Sequence, residues 1–168
     1  EAAAEAKRQF EQKQAVIKEG IGPLEDYAKK AGMAAKEENA LASSVERLKD
    51  LTPLEIKNLE ELLEKRGLNI HQMKDEASQM ARRLQAEKDN LAQLDHTSGE
   101  YARQKTAVDE LQAAYDSKMK SIERLETALK PLISKYGSLE EAIKHIKDET
   151  LALAAENLRQ EQAIDTQV

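Results

Sequence analysis

The chain has 168 residues and a formal net charge of −6, with no cysteine, no tryptophan, one phenylalanine, six glycines and three prolines. Acidic and basic residues are interspersed, so no basic stripe invites nucleic acid, and the missing cysteines exclude disulfides and thiolate zinc sites and fit a reducing compartment. No apolar run reaches membrane-spanning length, no signal-peptide pattern precedes the helices, and the dominance of Ala, Glu, Lys, Leu, Gln and Arg points to long helices.

The first segment begins "EAAAEAK", which reads as a chain cut inside a helix and therefore as a fragment of something longer. Ala3, Phe10, Ile17, Leu24, Ala31 and Val45 lie on one seven-residue row, interrupted only by Glu38. A companion row holds Tyr27, Ala34, Leu41 and Leu48. Gly20, Gly22 and Pro23 fall in the middle of this pattern, in "KEGIGPLEDYAKK". A linker has no reason to keep helical phase across itself, so the preserved row predicts one bent helix A over about 2–50.

Helix B starts at a capping box, with Thr52 at the N-cap, Pro53 at the first helical position and Glu55 three residues after the cap. Ile56, Leu63, Ile70, Ala77, Leu84 and Leu91 then repeat every seven residues. The interleaved row of Leu59, Met73, Met80 and Leu94 is broken by Arg66 and Glu87. Gly67 weakens a helix by about 1 kcal/mol relative to Ala, but the register continues through it, and helix B is predicted over 53–95.

In "DHTSGEYARQ", Thr97 or Ser98 can cap a third helix, with Glu100 reaching back. Tyr101, Val108, Tyr115, Ile122 and Leu129 form its seam, and Leu111, Leu125 and Leu132 the other row. Pro131 damages this helix and Gly137 offers a stop, so helix C is predicted over 98–136. Ser138 and Glu141 open a fourth helix, 138–165, whose Leu139, Ile143, Ile146, Leu151, Leu153 and Leu158 make a broader, less regular face. Short loops make neighbours antiparallel. The expected fold is all-α: an elongated antiparallel three-helix coiled-coil bundle over 1–136, with helices about 55–75 Å long. The helix at 138–165 would start a further repeat or a neck.

This pattern resembles the spectrin-repeat family, and more narrowly the rod repeats of α-actinin. The residues that carry the resemblance are Arg8-Gln9-Phe10, Ile21-Gly22-Pro23, "DHTSGEY" and "ELQAAYDSKMKSIERLET", within roughly residues 5 to 130. Leu24 stands where that family has a tryptophan, and a further helix follows Gly137 where α-actinin's last repeat leads into a calcium-binding region. The resemblance implies a structural rod or spacer of a cytoskeletal, cytoplasmic actin-crosslinking protein, working as an antiparallel homodimer through its rod. It also implies that actin is bound only through domains outside this chain. The alternative is a coiled-coil scaffold or membrane-associated helical bundle unrelated to actin, although interspersed charge makes a membrane partner a poor fit.

No catalytic constellation accompanies these helices. His71, His96 and His145 are dispersed without ligand spacing, "DHTSGE" lacks the alternating ligands of a calcium loop, and no serine has a base at recognisable spacing. The expectation is no enzyme, no cofactor and no metal. Glu38, Arg66 and Glu87 stand out because they replace apolar residues on the seams. They are candidate rod-interface or register residues, since a polar seam residue fixes alignment or marks a partner contact.

Overall fold

The computed structural model describes residues 1–166. Its elements are α1 (Ala2–Glu46), a 3-10 turn (Leu48–Asp50), α2 (Pro53–Arg66), α3 (Ile70–Ala92), α4 (Gly99–Tyr136) and α5 (Leu139–Thr166). Helix α1 runs through Gly20, Gly22 and Pro23 without a break. Proline inside a helix costs about 3 kcal/mol and each glycine about 1. Ile21 and Leu24 on either side are fully buried, and two such side chains contribute roughly 3–6 kcal/mol. Burial is therefore of the same size as the cost of the weak point.

The helix ends follow local chemistry. Thr52 accepts from the Glu55 N–H at 3.2 Å while Thr52 N–H donates to Glu55 Oε1 at 3.3 Å, the reciprocal pair of a capping box. Ser98 Oγ accepts from the Tyr101 N–H at 3.1 Å and so caps α4, while Thr97 instead donates to Asp95 Oδ1. Ser138 Oγ accepts from the Glu141 N–H at 3.2 Å at the start of α5. Gly67 (φ 72) and Gly137 (φ 89) take positive φ, which glycine adopts freely, and return their N–H groups to the Leu63 and Ile133 carbonyls. That is how glycine terminates a helix.

The chain divides into two units, one of residues 1–39 and 71–122, the other of residues 40–70 and 123 onward. In the first unit the pairs Glu25–Arg103 and Glu38–Lys118 are separated by 78 and 80 residues, a near-constant offset that makes α1 and α4 parallel. Glu87–Gln104 and Glu76–Lys118 are separated by 17 and 42, so α3 runs against α4. Leu24, Ala28, Ala35, Met80, Leu84, Val108 and Leu111 belong to one buried cluster here. In the second unit α5 packs on α2 and on the 3-10 turn. Its buried side chains include Leu41, Val45, Leu48, Ile56, Leu59, Leu125, Leu129, Ile143 and Ile146.

This arrangement corrects the expected architecture. The fold is all-α, but the elongated antiparallel three-helix coiled-coil bundle of the spectrin type, with an additional C-terminal helix, is not what forms. Five helices among the described residues pack over long sequence separations, α1 with α4 and α3 with α4, within two units. The predicted helix B is broken at residues 67–69. The companion row has no apolar anchor between Leu59 and Met73, and Leu63 and Ile70 are only half-buried. Too little burial spans the gap to hold Gly67 in a helix. The first half of the last helix, through Leu139, Ala142, Ile143 and Ile146, contributes buried side chains to the second unit.

Candidate docking surface

The three polar seam residues have different fates. Glu38 is 1% exposed, and Lys118 Nζ donates to its Oε1 at 2.7 Å and to Glu76 Oε2 at 2.9 Å. The Lys118 side chain is itself almost fully buried, whereas Glu76 is partly open to water. Glu87 is also buried: it accepts from Asn90 Nδ2 at 2.9 Å, and Gln104 Nε2 reaches both its carbonyl and its carboxylate, at 3.1 and 3.3 Å. Arg66 is the half-buried last residue of α2. Glu38 and Glu87 thus sit in separate polar clusters inside the first unit.

Lys118 and Gln104 were missed although the signal was present. Both lie on the row that contains Leu111, Leu125 and Leu132, at the positions between and before those leucines. One acidic break on the α1 row and one basic break on the α4 row are the pattern of a buried pair. Burying two charges is expensive unless geometry and extra hydrogen bonds compensate, so such a pair need not add net stability even though breaking it from one side is costly. Gln104 Oε1 and Ser121 Oγ are buried without a hydrogen-bond partner among the described residues.

The histidines do not converge. His71 is exposed beside Asp75, His96 stacks on Tyr101 with centroids 4.6 Å apart, and His145 stacks on Tyr136 at 5.4 Å. Among the described residues no group of three or more His, Cys, Asp or Glu side chains gathers as a metal site. No helix among them is long and apolar enough to cross a membrane.

The surfaces that remain are apolar. In the second unit a cavity of about 460 Å³ has Val45, Leu48 and Leu132 on its floor and Lys49, Arg124 and Lys135 among its walls. Arg124 is held by a two-pronged contact with Glu46 and also donates to Ser43 Oγ at 2.9 Å. The Arg124 hydrogen bond holds the Glu46 carboxyl below the ordinary glutamate range, and the same contact raises Arg124. Lys135 lies over the Tyr136 ring, 5.1 Å from its centroid. Pro131, also in the wall, has no N–H to offer the Thr127 carbonyl one turn earlier.

Beyond Thr150 every side chain of α5 as far as Ile164 is exposed, including Leu151, Leu153 and Leu158 at 56, 62 and 55%. The start of α1 is similar: Ala3 and Phe10 continue the core row, yet burial on that row begins only at Ile17. Comparisons with protein-family models, curated proteins and solved structures return no match for this chain.

Proposed function

We propose that this chain is a helical protein–protein interaction module and not an enzyme. The exposed run of α5 carries the reading. Four large apolar side chains, Leu151, Leu153, Leu158 and Ile164, are more than half exposed on a helical segment with no buried residue between Leu151 and Ile164. An unsupported segment of about fifteen residues is marginal as a helix in water. A partner that covers those side chains would supply the missing stabilisation, with Leu151 and Leu158 on one face of the helix and Leu153 and Ile164 on the opposite one. Phe10 and Val16, at 49 and 68% exposure, give the start of α1 the same character. Actin crosslinking, expected from the likeness to a rod repeat, is not carried forward with a fold that lacks that repeat.

The test is site-specific photo-crosslinking in a cell extract, with the label at Leu158, at Phe10 and, as a control, at exposed Lys57 of α2. Discrete protein adducts at the first two positions and none at the third are expected. The same adducts at all three positions, or none at Leu158, would overturn the reading.

A further inference from the structure

The cavity of the second unit and the exposed run of α5 are chemically complementary. The cavity floor is aliphatic, and its lining carries the cations Lys49, Arg124 and Lys135 against the carboxylates Glu46 and Asp50; Arg124 and Glu46 pair with each other, so Lys49 and Lys135 outweigh Asp50. The α5 run offers leucines together with Glu156 and Glu161 against the single cation Arg159. Upstream, Asp148 and Glu149 extend the acidic character. Apolar matter with net negative charge is thus presented by one part of this unit, and an apolar receptacle with a small excess of positive charge by another.

We propose that the occupant of this cavity is the α5 run of a second copy of the chain, a reading that rests on the interaction-module function above. Leucines of the incoming helix fill the space over Val45, Leu48 and Leu132, while Glu156 and Glu161 approach Lys49 and Lys135. A cavity of about 460 Å³ is within the range that takes a small set of side chains, not a whole domain. The positions of the two partners also favour a closed pair. Lys49 borders a second, smaller cleft with Glu149, Thr150 and Leu153 of its own α5. The run therefore leaves the unit beside its own cavity, and a twofold axis can lay each run over the other copy's cavity. Such an exchange uses the same surfaces twice and closes, as isologous dimers do.

The experiment is sedimentation equilibrium of the full chain from about 1 µM to about 0.5 mM, at low and high salt. The expected result is a reversible dimer that weakens with salt, because exposed charges are screened. Lys49→Glu with Lys135→Glu, and separately Glu156→Lys with Glu161→Lys, are each expected to weaken it by roughly tenfold or more. All four substitutions in one chain are expected to restore it. These positions are exposed, so circular dichroism should show an unchanged fold, and Leu151→Ser with Leu158→Ser should weaken dimerisation without shifting the Tm measured at a concentration where the parent chain is monomeric. A monomer throughout the range, or a dimer indifferent to both charge reversals, would overturn the proposal. Crosslinks from Leu158 to other proteins by a chain that stays monomeric would overturn it too, while leaving the interaction-module reading intact. Absence of any adduct would remove both.

Discussion

Lys118 Nζ lies 2.7 Å from Glu38 and 2.9 Å from Glu76, and its side chain is only 4% exposed. Removing the cation leaves Glu38 in a site that excludes water, and breaking a buried pair from one side typically costs about 3–5 kcal/mol. Lys118→Met should lower the urea-unfolding free energy by roughly that amount. Glu38→Leu with Lys118→Met should recover most of the loss, because the uncompensated charge goes with its partner. A double variant no better than the single one would show that the pair is not an isolated unit. Glu46 behaves differently, because it is exposed and its contribution is screened. Arg124 lowers its pKa, so the associated stability is present above the ordinary glutamate value of about 4.3 and is lost as the pH falls through the lowered one. In Arg124→Met, NMR titration should show the Glu46 carboxyl moving back up. The stability gap between the two proteins should narrow on acidification.

Element boundaries here are decided by how much burial supports each weak point. Gly20, Gly22 and Pro23 remain helical because Ile21 and Leu24 are fully buried around them. A single glycine, Gly67, ends a helix because its neighbours on both rows are half-buried or polar. At φ 72 an L side chain is strained even though nothing lies within 4 Å of a Cβ built there. Gly67→Ala should therefore destabilise the protein by about 1 kcal/mol, read by urea unfolding. No loss, or a gain, would mean that the chain can heal into one continuous helix through this point. The start signals were legible in sequence at α2, α4 and α5 but not at α3, since capping depends on residues within one turn of each other. Thr52 and Ser138 cap as expected, and of the two residues considered for α4 it is Ser98 that does so.

At the scale of the molecule, protection should follow burial unit by unit. Amide hydrogen exchange should be slowest around Leu24–Ala35 and Gln104–Lys118, where buried side chains are dense. It should be fastest over 2–13 and 151–164, where every side chain is exposed. A chain ending after Thr150 should lose less than about 0.5 kcal/mol in dilute solution, the usual limit for exposed changes. Ile146→Ala, a few residues earlier, should cost about 2–5 kcal/mol. Equal costs for the two changes would mean that the exposed run packs onto its own molecule.

Residue order by itself determined the helical class, most of the helix starts and the polar breaks at Glu38 and Glu87, because these depend on side-chain type and on spacing within a few turns. The same periodicity read the exposed leucines of α5 and the exposed Phe10 of α1 no differently from buried ones, since a repeat of seven records which face a residue occupies and not what meets that face. Tertiary structure alone decided that Lys118 answers Glu38, that residues 67–69 separate two helices, and that α5 is core as far as Ile146 and exposed from Leu151. Each of these is a comparison of burial between segments far apart in the chain, and such comparisons exist only once the segments have been brought together.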